Sequence, residues 1–184
     1  MLSRRLALAG LVSLVLGATA TAQQTQSQGV ELPTYVLTRN DEGLFLTFSA
    51  RFELPRGVED ALQKGVPLFF VAEAQLFRER WYWSDKSVSE VRRTWRLAYQ
   101  PLTRKYRVTF SGINQNYDNL AEAVASLSRV VNWRLADAGQ VKDGSSYVEF
   151  RYLLDVTQMP QPMQIGLGGL SDWTLQVERT QRLN

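Results

Sequence analysis

Along most of this chain the apolar residues recur at every second position. Leu44, Leu46, Phe48, Ala50, Phe52 and Leu54 fall on one side of an extended backbone, and a strand is the only regular structure that places six such residues together. The same alternation returns at Leu68, Phe70, Ala72, Ala74 and Leu76, at Val91, Trp95, Leu97 and Tyr99, at Tyr106, Val108 and Phe110, and at Val148, Phe150, Tyr152 and Leu154. Val30 to Arg39 is β-leaning with Pro33 near its start, which suits an edge strand, and Trp173, Leu175 and Val177 make a last one. Turn residues separate these runs: Asn40-Asp41-Glu42-Gly43, Pro101 to Arg104, and Asp143-Gly144. Joins this short pair neighbours antiparallel, because parallel neighbours need a crossover of about a dozen residues.

The period changes in two places. Pro55 to Gly65 reads as one or two helical turns closed by glycine, and Leu120, Val124, Leu127 and Val131 share one helical face behind Asp118 or Asn119 as N-cap. About seven strands with one amphipathic helix and a short helical turn predict a mostly β fold. The expected architecture is an antiparallel β-sandwich of immunoglobulin-like type. A small outer-membrane barrel is the alternative, disfavoured because both helical segments interrupt any eight-strand series.

The start of the chain has another pattern. Arg4 and Arg5 precede an apolar run from Leu6 to Leu16, and Ala20-Thr21-Ala22 forms a small-x-small site before Gln23. This predicts a secretory signal peptide over residues 1–22, since the run is too short for a membrane span of about 20 residues. The polar stretch 23–29 is expected to be a disordered leader, and 30–184 a single domain in the periplasm. No later segment is long enough to be a transmembrane helix.

Composition narrows the chemistry. There is no Cys and no His among the 184 residues, which excludes a Ser-His-Asp or Cys-His catalytic group, a thiolate nucleophile and an imidazole or thiolate metal site. The formal charge of +3 falls to +1 once Arg4 and Arg5 are assigned to the signal, leaving 19 basic against 18 acidic side chains. The remaining imbalance is local: nine Lys or Arg against three Asp or Glu lie between Arg78 and Arg107. Adjacent carboxylates at Asp41-Glu42 and Glu59-Asp60 do not face each other across a substrate. Ser84 and Lys86 sit in a polar hairpin, and Gly166-Leu167-Gly168-Gly169 lacks the helix and Lys-Ser/Thr of a phosphate cradle. The chain reads as a binding protein, not an enzyme, with no metal or cofactor expected.

Two stretches carry a resemblance. Pro67 to Val108, containing Phe70 to Ala74, Arg78 to Asp85 and Arg96 to Val108, and Leu154-Asp155-Val156-Thr157-Gln158-Met159-Pro160-Gln161-Pro162 followed by Gln164-Ile165, resemble the uncharacterised exported bacterial family DUF4390. That resemblance brings no catalytic residues. Members are often encoded beside a membrane sensor kinase of a two-component system, which makes such a kinase one implied partner.

The candidate site is the basic aromatic region. Alternation places Glu73, Gln75 and Glu79, then Arg92, Thr94 and Arg96, then Lys105 and Arg107 on the face away from the core. Arg78, Arg80, Trp81, Tyr82, Trp83 and Arg93 crowd the loop end. Arginine beside tryptophan suits planar anions or a protein hot spot. The expected site residues are Arg78, Arg80, Trp81, Trp83, Arg92 and Arg96, and the expected partner is an envelope protein. An anionic lipid, glycan or small molecule is the alternative ligand, and nucleic acid is disfavoured by the near-neutral charge.

Overall fold

The computed structural model describes residues 24–82, 84–142, 145–159 and 173–183. The element order is β1 (Gln24–Gln28), β2 (Val30–Asn40), β3 (Gly43–Phe52), α1 (Arg56–Gln63), β4 (Leu68–Arg78), β5 (Lys86–Gln100), β6 (Lys105–Phe110), β7 (Ile113–Tyr117), α2 (Leu120–Leu127), β8 (Arg129–Asp137), β9 (Ser146–Leu154) and β10 (Gln176–Leu183). Single 3-10 turns follow β8 and β9. Seven strands form one sheet in the order β1-β10-β9-β4-β5-β6-β7, and β2-β3-β8 form a second. All named strand pairs are antiparallel.

The mostly β, antiparallel class agrees with the hydrophobic pattern, while the strand count does not. β1, β7 and β8 are additional to the seven expected strands. The stretch expected to be a disordered leader supplies β1, whose five residues pair with β10 from Gln24↔Thr180 to Gln28↔Gln176. An edge strand is held by backbone hydrogen bonds and needs no apolar face, so its polar composition hid it. The helix expected to reach Val131 stops at Leu127: Ser128 turns its hydroxyl back onto the Val124 carbonyl at 2.6 Å, and Val131 lies in β8. Its N-cap is Asn119, whose side chain accepts from the Glu122 amide at 2.8 Å. The signal-like segment, Asp143-Gly144 and Pro160 to Gly169 lie outside the described residues.

The two sheets face each other over one core. Leu44, Leu46 and Phe48 of β3 are buried with Phe70, Ala72 and Leu76 of β4 and with Val148, Phe150 and Tyr152 of β9. Phe48 meets the Phe150 ring at 4.8 Å and the Tyr152 ring at 5.9 Å, which joins the layers through aromatic contacts. Pro33 sits where β2 slips its register, between Glu31 and Thr34, as a residue without an N–H must in a strand. Gly43 opens β3 so close to β8 that a Cβ there would lie 2.1 Å from the Ala136 carbonyl oxygen. Both sheets end in open edges among the described residues, so neither closes into a barrel.

Candidate functional site: an aromatic tip and a charged sheet face

The five expected residues that the structure describes, Arg78, Arg80, Trp81, Arg92 and Arg96, do not form one surface. Along β4, Phe69 lies opposite Arg96 and Arg78 lies opposite Lys86. Nine residues at about 3.3 Å each put roughly 30 Å between the two ends. Arg80 and Trp81 belong to one end and Arg96 to the other, with Arg92 between. Trp83 lies outside the described residues.

At the loop end, β4 and β5 are joined by a connection that carries Trp81 and Tyr82 into solvent. Trp81 is 89% exposed and Tyr82 76% exposed, with ring centroids 4.5 Å apart. Asp85 anchors the connection: one oxygen accepts the Arg80 backbone N–H at 3.2 Å and the other accepts the Tyr147 hydroxyl at 2.9 Å. Tyr147 stacks on Phe77 at 5.2 Å. Burial of its hydroxyl, then the Asp85 hydrogen bond and the charges of Asp85, Glu149 and Glu79, push the Tyr147 phenol up to about 12. Arg80 is exposed beside the rings. Arg78 is not free for a partner: it is half-buried and donates to the Gln140 carbonyl at 3.1 Å.

On the outward sheet face, the cations expected to be in excess meet carboxylates that the hairpin pattern did not display. β4 is flanked by β9 as well as by β5, so Glu73 lies between Arg151 and Arg92. Arg92 bridges Glu73 at 3.2 Å and Asp155 at 3.3 Å, and Arg151 closes on Glu73 at 2.5 Å. The Glu73 hydrogen bond raises the Arg151 guanidinium above its ordinary value despite burial. Burial would raise Asp155, but the Thr157 hydroxyl and N–H, the Gln158 amide and the Arg92 charge outweigh it and hold the carboxyl below its usual range. Lys105 pairs with Asp118 at 3.0 Å. Arg96 is exposed and has no hydrogen bond or ion pair among the described residues.

Arg93, counted in sequence among the loop-end cations, faces the other way. Its guanidinium lies 5.1 Å from the Trp133 ring and 5.5 Å from the Phe110 ring, and burial lowers its pKa. A shallow polar groove of about 340 Å3 lies over β9, lined by Glu73, Glu149, Arg151 and Glu178 among others. No group of three metal-ligating side chains occurs among the described residues. No helix there is long and apolar enough to cross a membrane. The arrangement can dock a protein through exposed rings or hold an anion at an unpaired guanidinium.

The family model described as a domain of unknown function (DUF4390) matches residues 27–183. No curated protein and no solved structure matches the chain.

Proposed function

The chain belongs to the DUF4390 family, and from that premise we propose that it is an exported, non-catalytic accessory protein of the bacterial cell envelope that docks a protein partner through the Arg80-Trp81-Tyr82 tip. The observation that carries this reading is the pair of packed, largely exposed rings held out by Asp85. Large rings rimmed by arginine are the commonest anchors of protein interfaces, and leaving them in water is otherwise unfavourable. The sheet face is the weaker docking surface, because Arg92 is already neutralised by Glu73 and Asp155. Export rests on Arg4-Arg5, the apolar run to Leu16 and Ala20-Thr21-Ala22. The membrane sensor kinase implied by the family resemblance is the first partner to seek. An immunoglobulin-like sandwich is the finer fold reading, favoured by two antiparallel sheets over one core, although seven strands against three departs from the usual four against three.

In-cell crosslinking with mass spectrometry tests the docking, comparing wild type, Trp81→Ala, and the Arg92→Glu, Arg96→Glu double variant. The expected result is one envelope protein captured by wild type and the double variant and lost with Trp81→Ala. Capture unchanged by Trp81→Ala overturns the tip as the docking site. Loss only in the double variant transfers the docking site to the sheet face, and absence of any specific partner in wild type overturns docking and makes anionic lipid or glycan binding the reading to test by its steep fall with salt.

A further inference from the structure

Alternation along β5 turns Val91, Arg93 and Trp95 toward the space between the sheets, so an arginine stands in a row of apolar residues. Arg93 is held there by rings from both layers: Trp133 of β8, the last strand of its sheet, and Phe110 of β6. Two recesses meet on it. One of about 250 Å3 is walled by Trp95, Val108, Phe110 and Val130 with Gln115, Ser126 and Arg129 among its polar groups; the other, an open trough of about 670 Å3, runs past Val91, Phe110 and Trp133 and is also lined by Arg92, Thr94 and Ser111. No Asp or Glu lines either one. Arg93 makes no hydrogen bond or ion pair among the described residues. Arg78, the other half-buried inward arginine of this hairpin, shows the contrast by donating to the Gln140 carbonyl.

We propose that this recess is a ligand site for a carboxylate carried on an apolar body, of the medium-chain fatty acid or aryl carboxylate type, with Arg93 as its anchor. A guanidinium packed against rings but without a hydrogen-bonding partner keeps its N–H donors available, and their fork matches a carboxylate in two parallel hydrogen bonds. Trp95, Val108, Phe110 and Val130 offer the apolar surface for the body of the ligand, and Gln115, Ser126 and Arg129 complete the lining with polar groups. Burial lowers the Arg93 pKa, as expected for a cation short of a counter-charge, yet the group stays charged. The site goes beyond the docking reading and uses none of its residues, so the failure of either leaves the other standing.

Isothermal titration of the protein with decanoate, decanol and acetate tests the proposal. Decanoate should bind saturably at one site, with decanol and acetate each weaker by at least about tenfold. Arg93→Gln should weaken decanoate by at least about tenfold, while Lys64→Gln, a charge removal just beyond α1, should not. No saturable binding up to about 1 mM, equal binding of decanoate and decanol, or undiminished binding by Arg93→Gln would each overturn it. Should Arg93→Gln fail to fold, photolabelling of wild type with a diazirine-bearing decanoate decides: label on β5, β6 or β8 supports the site, and label confined elsewhere overturns it.

Discussion

Asp155 ties the end of β9 to the middle of β5. Its Oδ1 accepts the Thr157 N–H and hydroxyl of the 3-10 turn Val156–Gln158, and its Oδ2 accepts the Gln158 amide and the Arg92 guanidinium. Because these groups favour the ionised form, the folded pKa lies below the unfolded one. The contribution is therefore fully present above the unfolded carboxylate pKa and is lost as pH falls through the folded value. Asp155→Asn should cost about 1 to 3 kcal/mol near neutral pH, the usual size for hydrogen bonds to a charged group, and the gap to wild type should close on acidification below about pH 4. Urea unfolding of both proteins at several pH values checks this, and a gap independent of pH would refute the linkage. The same residue shows what sequence could not reveal at this scale. Alternation displayed Arg92 beside Glu73 correctly, but Asp155 and Arg151 reach them from a strand more than fifty residues later. A cation surplus counted along one hairpin ignores carboxylates that arrive from the other neighbour.

At the scale of elements, legibility follows burial. β3, β4, β5 and β9 bury one face, so their period of two is visible in the sequence. β1 and β7 are polar edge strands, QTQSQ and INQNY, with no apolar face to alternate. β8 does bury Val130, Trp133, Leu135 and Ala136, but its pairing with β3 slips register twice and Asn132 takes a positive φ of 49°. Each irregularity shifts the inward positions, and the period is lost. β1 covers the outer edge of β10, and an uncovered edge invites pairing with another chain. A variant beginning at Gly29 should therefore keep its core and self-associate, seen as concentration-dependent growth in mass by light scattering. A variant that stays monomeric at all concentrations would show that β1 does not protect this edge.

At the scale of the whole molecule, the core and the aromatic tip make opposite demands on similar side chains. Phe48 is fully buried between the sheets and touches rings on β8 and β9, whereas Trp81 touches only Tyr82 among the described rings. If the two layers are held by this shared core, Phe48→Ala leaves a cavity between them and should cost about 3 to 5 kcal/mol. Trp81→Ala removes a side chain already in water and should change stability by no more than about 0.5 kcal/mol. Guanidinium unfolding followed by far-UV circular dichroism measures both, since it does not depend on tryptophan emission. The comparison also guards the functional argument. A folded, equally stable Trp81→Ala protein that loses its partner has lost an anchor, while a loss above about 2 kcal/mol would place Trp81 in the packing of the loop end and remove the ground for treating the tip as a docking surface.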